Sequence, residues 1–355
     1  MQIWCDFNPA GLAADLLRQD LGPHTLIFKN QGAALTDADI ALGQPDPAAV
    51  LAARRVKWLH ITSAGYTKFD FPKFWQAMRA RPALVTNSSA VFADPCAQHA
   101  LAMILSFARA LPWSITNQFP APSPNPNPAS STPPHHSTSI APPLSHFAFR
   151  TSHLSSSPPS EPSHPASPTW TSDPIRKRSF LLTDQRIVLV GYGSIARRLA
   201  QLLAPFTRNI LGIRRSPRGD ESIPILPTAQ ISAALTTADH VVDLLPQSPH
   251  TENFFNSTTF AQFQPGSYFY NIGRGKTVDQ PALIAALTSG HLAGAYLDVT
   301  DPEPLPPTDP LWTTPNCFIT PHSAGGHHNE RDRLIAHFLQ NLRRYEAGEK
   351  LADRL

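Results

Sequence analysis

The stretch Val188–Phe206, VLVGYGSIARRLAQLLAPF, joins an apolar run to a helical pattern through two closely spaced glycines. Ile187–Val190 is short, apolar and β-branched, which is typical of a strand buried on both faces of a sheet. Gly191 and Gly193 permit a sharp turn, after which apolar residues recur at helical spacing. The stretch therefore predicts a strand, a tight turn and a helix whose first N–H groups face an anion at the turn.

The glycine spacing is that of a dinucleotide-binding turn. Ala196 holds the third place of the pattern, where a small residue is enough for helix and strand to pack closely. Glycine pairs also occur in ordinary strand–helix turns, so the motif alone leaves nucleotide binding open. The candidate cofactor-binding residues of this turn are Gly191, Gly193, Ser194 and Ile195.

Two arginines, Arg214 and Arg215, follow the next predicted strand, Asn209–Ile213. An acidic residue about twenty residues beyond the glycines binds the ribose hydroxyls of NAD, whereas guanidinium groups suit a phosphate. The sequence therefore favours NADP(H), with NAD(H) as the possible second cofactor. The alternative is that one or both arginines are only solvated at a strand end.

The rest of the chain repeats the alternation of strand and helix patterns. This rhythm predicts an α/β fold of two doubly wound parallel-sheet domains, Rossmann-like or flavodoxin-like, with an active-site cleft between them. A long apolar helix is predicted over Asp94–Leu111, with Asp94 as N-cap and Pro95 at the first position. A last helix is predicted over Glu330–Ala347. The strand candidates are Gln2–Phe7, Thr25–Lys29, Ile40–Gly43, Val56–Ser63, Ala83–Asn87, Arg186–Val190, Asn209–Ile213, His240–Leu244, Ser267–Ile272 and Leu292–Asp298.

Composition bounds the remaining possibilities. Phe119–Ser172 is rich in Pro, Ser, His, Thr and Asn without a periodic apolar face, which predicts a disordered insertion or, as an alternative, a segment that docks a proline-recognising partner. A net charge of +3 with scattered basic residues gives no indication of nucleic-acid binding. We expect a cytoplasmic protein without membrane contact, because no signal sequence and no apolar run long enough to cross a bilayer is present. The cysteines have no metal-site spacing, so no metal is expected.

Three polar residues follow later strand-like runs. Arg274 lies between two glycines and can hold a carboxylate, Glu303 lies between prolines, and His322 ends the run CFITPH. Taken singly, each also fits an ordinary turn or loop residue. Reduction of a 2-oxo acid needs a hydride donor, a proton donor and a cation for the carboxylate, and the set supplies the last two.

Five blocks, in order GYGSIA, DLLPQSPHTENFFN, NIGRGKTVDQPALIAAL, GAYLDVTDPEPLPPTDPLW and NCFITPHSAGG, resemble the nucleotide domain of the D-isomer-specific 2-hydroxyacid dehydrogenases. The resemblance covers Ile187–Gly326. It implies that Arg274, Glu303 and His322 are catalytic. It also implies that the cofactor is contacted by Pro246, Thr251, Ile272 and Asp298.

The resemblance further implies a substrate-binding domain at 1–114 plus 326–355 and an NAD(P)-binding domain at 179–325. In the loop TSAGYTKFD, Ser63, Ala64 and Gly65 are expected to face the substrate carboxylate together with Arg274. The sequence departs from the family at Thr67 and Gln98, where acidic residues are usual. A homodimer is expected, although the insertion enlarges a link that runs close to the dimer contact in the family.

These features predict an oxidoreductase that transfers a hydride between NAD(P)H and a small 2-oxo acid, of the glyoxylate or hydroxypyruvate type. The alternative is a nucleotide-sensing, corepressor-like regulator on the same fold. A third reading, in which the insertion inactivates the protein, is disfavoured because loop-closure entropy grows slowly with length.

Overall fold

The computed structural model describes residues 1–118, 170 and 172–355. Contacts divide them into two units, one of residues 1–108 with 180–355 and one of residues 109–179. The prediction of a disordered insertion over Phe119–Ser172 lies outside the described residues, apart from Trp170 and Ser172.

The first unit opens with a five-stranded parallel sheet in the order β2-β1-β3-β4-β5. Every strand lies within its predicted segment. The central strands β3 and β4 are buried along their whole length, as strands covered on both faces should be. The bounds are β1 Gln2–Cys5, β2 Thr25–Phe28, β3 Ile40–Gly43, β4 Trp58–Ile61 and β5 Leu84–Thr86.

Three helices connect these strands: α1 Leu12–Asp20, α2 Pro47–Ala52 and α3 Pro72–Ala80. The start of α2 is fixed by Asp46, whose side chain accepts hydrogen bonds from the N–H groups of Ala48 and Ala49.

The long helix α4 spans Ser89–Ala108, so its predicted start was wrong by five residues. Asp94 is not the N-cap, and Pro95 lies inside the helix. The side chain of Asn87 accepts a hydrogen bond from Ser89 N at 3.1 Å and takes the capping role instead. The carboxylate of Asp94 is therefore free to bind Arg198, whose Nε lies 2.6 Å away.

By length and composition, α4 is long and apolar enough to cross a membrane, contrary to the expectation from the sequence. Its buried side chains include Ala97, Ala100, Ile104 and Phe107. Phe107 packs against aromatic rings of the second sheet, with its centroid 4.9 Å from that of Tyr268. These contacts are those of a core helix, which meets the same criteria.

The second unit contains helices α5 Leu111–Gln118 and α6 Ser172–Arg178. Within it, the guanidinium of Arg178 lies over the ring of Trp113, 4.2 Å from its centroid. Helix α6 was not predicted, and it begins at the last residue of the segment assigned to the insertion.

The first unit continues with a seven-stranded parallel sheet in the order β12-β11-β10-β9-β6-β7-β8. The two doubly wound sheets confirm the predicted fold class. The chain reverses direction across the sheet between β6 and β9, and ligands bind at such a switch point in open α/β sheets. The bounds are β6 Ile187–Val190, β7 Ile210–Arg214, β8 Ile225–Pro227, β9 His240–Asp243, β10 Ser267–Asn271, β11 Leu292–Leu297 and β12 Cys317–Ile319.

Helices α7 Ser194–Leu203, α8 Ile231–Leu235, α9 Ser257–Phe260 and α10 Gln280–Thr288 belong to the second sheet, and α7 contacts α4. The last helix, α11 Glu330–Glu346, returns to the first sheet. There the ring of Trp58 stacks on Phe338 and Tyr345, with centroid distances of 5.3 and 5.4 Å. Short 3-10 turns occur at Lys29–Gln31, Leu35–Asp37, Thr67–Phe69, Leu182–Asp184, Thr228–Gln230, Gly275–Thr277 and Pro310–Thr313.

Candidate active site

The glycine turn follows β6 at the switch point of the second sheet. Gly191 has a φ of 96°, and a Cβ there would lie 2.8 Å from main-chain atoms of Leu244, so only glycine fits. Its N–H donates to the carbonyl of Ile213 at 2.9 Å, which ties the turn to β7. A Cβ at Gly193 would meet nothing, so the approach to the start of α7 is open. The turn therefore suits a phosphate at the helix N-terminus.

A groove of about 560 Å³ runs along this turn. Residues of the first sheet's loops, among them Ala64, Gly65 and Tyr66, complete it. Thr251 is not part of the lining. Its hydroxyl donates to the carbonyl of Pro246 at 2.6 Å and so holds the lining turn in place. The predicted cofactor-binding residues that do line the groove are Gly191, Gly193, Ser194, Ile195, Arg214, Pro246 and Ile272.

The two arginines at the end of β7 differ in position. Arg214 lines the groove, whereas Arg215 is exposed and does not line it. Successive side chains at a strand end point to opposite faces, which explains the difference. Arg218, which the sequence analysis did not single out, lines the groove in its place.

The guanidinium of Arg214 forms an ion pair with Glu221, with Nη1 3.0 Å from Oε1. The same carboxylate accepts the N–H groups of Arg218 and Gly219 at 2.8 and 2.7 Å. These hydrogen bonds, led by that from Arg218, lower the pKa of Glu221 to about 2. The loop after β7 thus binds the carboxylate of Glu221, which belongs to the same loop.

Arg274 follows β10 in a turn that Asn271 fixes. The side chain of Asn271 accepts Gly273 N at 2.9 Å and donates to the carbonyl of Arg274 at 3.1 Å. A Cβ on Gly275 would lie 1.9 Å from the carbonyl oxygen of Thr300, so this glycine permits close packing of the turn. A Cβ on Gly65 would lie 2.2 Å from Arg274 Nη2, which shows that the guanidinium reaches the loop of the first sheet.

His322 and Glu303 form a contact pair at the other side of the cavity. Nδ1 of His322 lies 2.8 Å from Oε2 of Glu303, and Oε1 of Glu303 accepts Thr300 N at 3.1 Å. His322 has a φ of 50°, and its N–H donates to the carbonyl of Asp298 at 2.8 Å. With Nδ1 engaged, Nε2 is the ring nitrogen left for a substrate.

The loop Ser63–Gly65 is tied through its oxygen atoms. The hydroxyl of Ser63 donates to the carbonyl of Gly65 at 2.6 Å, and Asn87 Nδ2 donates to the carbonyl of Ala64 at 2.7 Å. Gln44 Nε2 donates to the Ser63 hydroxyl at 2.7 Å. Within the described part of the chain, the N–H groups of Ala64 and Gly65 have no acceptor. They can therefore bind an anionic ligand.

A cavity of about 270 Å³ brings the predicted substrate-binding and catalytic residues together. Glu303 lies behind His322 and is not part of the lining. Three residues that were not predicted, Phe92, Cys96 and Glu330, face the same cavity. Burial raises the pKa of Cys96 to about 12, so its sulfur is a thiol and not a nucleophile at neutral pH. The predicted residues in the lining are Ser63, Ala64, Gly65, Ile195, Ile272, Arg274, Asp298 and His322.

Asp298 lines this cavity and not the cofactor groove. Its buried carboxylate accepts the Thr320 hydroxyl at 2.6 Å and the N–H groups of Ser323 and Ala324 at 2.9 and 3.0 Å. These bonds bracket His322 on both sides, so Asp298 fixes the loop that carries the histidine.

With this geometry in place, comparison with known proteins identifies the chain's relatives. Residues 164–324 match the sequence profile of the D-isomer specific 2-hydroxyacid dehydrogenase, NAD binding domain. This match supports membership of the D-isomer specific 2-hydroxyacid dehydrogenase family. The matched range includes the glycine turn, Arg274, Glu303 and His322. The match to an NAD binding domain supports a nicotinamide dinucleotide as the cofactor.

Among relatives in this dehydrogenase family, the glyoxylate reductase/hydroxypyruvate reductase of Homo sapiens is 34% identical over 192 residues. The alignment covers 52% of this chain and 58% of the human protein. The chain thus spans little more than half of that relative's length.

Solved structures of the dehydrogenase family share the fold. A D-isomer specific 2-hydroxyacid dehydrogenase from Xanthobacter autotrophicus Py2, in complex with NADPH and MES, superposes with a TM-score of 0.72 at 22% identity, covering 100% of this chain and 97% of that one. An NADPH-dependent glyoxylate/hydroxypyruvate reductase from Sinorhizobium meliloti, in complex with NADP and sulfate, gives 0.71 at 20% identity, covering 100% and 98%. At these identities the likeness shows the fold alone.

Proposed function

We propose that this protein is an NADPH-preferring reductase of small 2-oxo acids, with glyoxylate and hydroxypyruvate as the leading substrates. The observation that carries the proposal is the meeting of Arg274, the Glu303–His322 pair and the loop Ser63–Gly65 around one cavity beside the cofactor groove. The human relative described above is a reductase of the same two acids. The relatives reported above give no support to the regulatory alternative.

Arg274 and the free N–H groups of Ala64 and Gly65 bind the substrate carboxylate. A guanidinium and main-chain donors are the groups that hold a carboxylate best. The oxo oxygen of the same substrate lies one carbon away, so a substrate held by Arg274 presents it to His322 across the cavity.

The reduced nicotinamide supplies a hydride to the oxo carbon when bound. His322 donates the proton that the new alkoxide oxygen requires, from Nε2. Glu303 accepts the hydrogen on Nδ1, which fixes the ring orientation and places Nε2 toward the cavity. Asp298 keeps the histidine loop in register through its bonds to Ser323 and Ala324.

The preference for NADPH is supported by Arg214 and Arg218, which line the groove beyond the glycine turn. Guanidinium groups match a phosphate ester better than a diol. The proposed location is the cytoplasm, because Cys5, Cys96 and Cys317 are unpaired thiols and a reducing compartment keeps them so. The proposed assembly is a homodimer, since two-fold dimers are the commonest oligomers; light scattering of the purified chain tests it.

The deciding experiment measures initial rates of NADPH and NADH oxidation with glyoxylate, hydroxypyruvate and larger 2-oxo acids. His322→Gln should lower kcat by roughly 10² to 10⁴, the range of general acid–base catalysis, and leave the Kd for NADPH unchanged. Arg274→Ala should act mainly on the KM of the oxo acid. A wild-type chain that reduces none of these acids, or a His322→Gln variant with full activity, would contradict the proposal.

A further inference from the structure

The tail segment Leu351–Leu355, which follows α11, is held firmly against the first sheet. Leu351 is buried in the core beneath that sheet. The side chain of Asn341, itself fully buried, clamps Ala352: Nδ2 donates to its carbonyl at 3.2 Å, and Oδ1 accepts its N–H at 2.8 Å. The position of the tail segment is therefore fixed by α11.

Beyond Ala352 the tail segment runs antiparallel to the end of β5. Asn87 N donates to the carbonyl of Asp353 at 3.0 Å, and Leu355 N donates to the carbonyl of Val85 at 3.0 Å. Between them, Arg354 pairs with Thr86 as an isolated antiparallel bridge. The main chain of Arg354 is thus held on both sides, while its side chain is exposed.

This path places Asp353, Arg354 and Leu355 in the lining of the cofactor groove. The carboxylate of Asp353 is occupied, because its Oδ2 accepts Ala90 N at 2.7 Å and lies 3.2 Å from His337 Nε2. Arg354 has no carboxylate within ion-pair distance among residues 1–118, 170 and 172–355. The side chain of Arg354 is therefore a cation that the tail segment presents to the groove.

The charge of the whole lining points to a strongly anionic occupant. Asp353 has the one acidic side chain among the described residues of the lining, against a set of arginines that comes from both sheets. Arg197 and the residues after β7 lie on the glycine-turn side, whereas Arg354 comes from the side of the first sheet. The arginines of the lining are Arg197, Arg214, Arg218, Arg274 and Arg354.

We propose that Arg354 binds a phosphate of the dinucleotide from the side of the first sheet, opposite the main-chain N–H groups of the glycine turn. This inference rests on the proposed function, since it takes the occupant of the groove to be the nicotinamide cofactor. The tail segment then joins cofactor binding to the sheet that carries the substrate loop. Two phosphate groups could be the partner of Arg354: the pyrophosphate, which both cofactors contain, and the extra phosphate, which only NADPH contains.

The test is a binding titration, which needs no turnover. The Kd values of NADPH and NADH are measured by nicotinamide fluorescence with the full-length chain, Arg354→Ala, Arg354→Lys and Arg333→Ala. Arg333 is an exposed arginine of α11 outside the groove, so its variant carries the same charge change as a matched control. Thermal melting checks that each variant is folded.

Arg354→Ala should weaken binding roughly tenfold at low salt, with a smaller loss at high salt, whereas Arg354→Lys should keep part of the affinity and Arg333→Ala all of it. Equal losses for both cofactors identify the pyrophosphate as the partner, and a loss confined to NADPH identifies the extra phosphate. Unchanged affinity of a folded Arg354→Ala variant for both cofactors overturns the inference alone. A wild-type chain that binds neither cofactor overturns the proposed function as well.

Discussion

Replacement of Asp243 by asparagine should remove a pH-dependent part of the free energy of unfolding. Asp243 ends β9 and is fully buried. Its Oδ1 accepts Leu245 N at 2.9 Å, and its Oδ2 is in very close contact with the hydroxyl of Thr277. Burial raises the pKa of Asp243 from 3.8 to about 7, although the bonds from Thr277 and Leu245 oppose this.

The hydrogen bonds around Thr277 fit a protonated Asp243. The Thr277 hydroxyl has one hydrogen and two neighbouring acceptors, Asp243 Oδ2 and the carbonyl of Arg274, the latter at 2.6 Å. When Asp243 carries a proton, it donates to Thr277, and Thr277 donates to Arg274. When Asp243 is deprotonated, the single hydroxyl hydrogen of Thr277 can serve only one of these two acceptors. The protonation state of a buried acid thus supports the turn of Arg274.

The magnitude follows from linkage between protonation and folding. A pKa displaced from 3.8 to about 7 corresponds to about 4 kcal/mol. Because the folded-state pKa is the higher one, the stabilising contribution is fully present below pH 3.8 and is lost as the pH rises through about 7. Wild type should therefore lose about 4 kcal/mol relative to Asp243→Asn between roughly pH 4 and pH 8.

Urea unfolding followed by tryptophan fluorescence, at several pH values across this range, measures the difference between the two proteins. The histidines and surface carboxylates titrate in both, so their contributions cancel in the difference. Asparagine is similar in size and cannot ionise, and its NH₂ group can donate to Thr277 at every pH. A difference that stays constant from about pH 5 to about pH 8 would refute the reasoning.

Two further expectations concern the groove and the core. Arg218→Ala should raise the KM for NADPH about tenfold, with little change in the KM for NADH. Arg215 lies outside the groove, so Arg215→Ala should change neither KM. Initial rates with both cofactors measure this, and equal effects of the two variants would contradict it. Burial lowers the pKa of His240 from 6.5 to about 3. Below pH 6.5 the unfolded chain therefore binds a proton that the folded chain does not, so the free energy of unfolding falls as the pH falls below 6.5. His240→Gln should remove about 2 kcal/mol of that loss at about pH 5, and an equal acid sensitivity of both proteins in urea unfolding would count against it.

Strands were predictable where they are buried. Ile187–Val190 is apolar along its length, so the pattern reveals it. β8 was not predicted, and β12 was recognised only as the strand-like run before His322, because each has three residues and lies half-buried at a sheet edge. The start of α4 was misplaced because Asp94 and Pro95 carry a local start signal, whereas the cap is supplied by Asn87.

The site was predictable where a motif carries it. Arg274 and His322 line one cavity, each shortly after a strand of the second sheet, and Glu303 contacts His322 from behind. Arg215 does not line the groove with Arg214, a difference that the sequence could not show because it gives no strand register at that end. Arg354 and Glu330 reach the groove and the cavity only through α11, whose return to the first sheet brings together residues far apart in sequence.

The ion pair between Arg214 and Glu221 has a consequence for cofactor choice. Glu221, with a pKa of about 2, is charged at every pH at which the protein would work. A phosphate that reaches Arg214 therefore meets a guanidinium already paired with a carboxylate. Under the proposed function, the extra phosphate of NADPH then competes with the carboxylate of Glu221 for Arg214. The number of arginines near the end of β7 therefore overstates the preference for NADPH. Glu221, seven residues after Arg214, therefore contributes to the choice between NADPH and NADH together with the arginine.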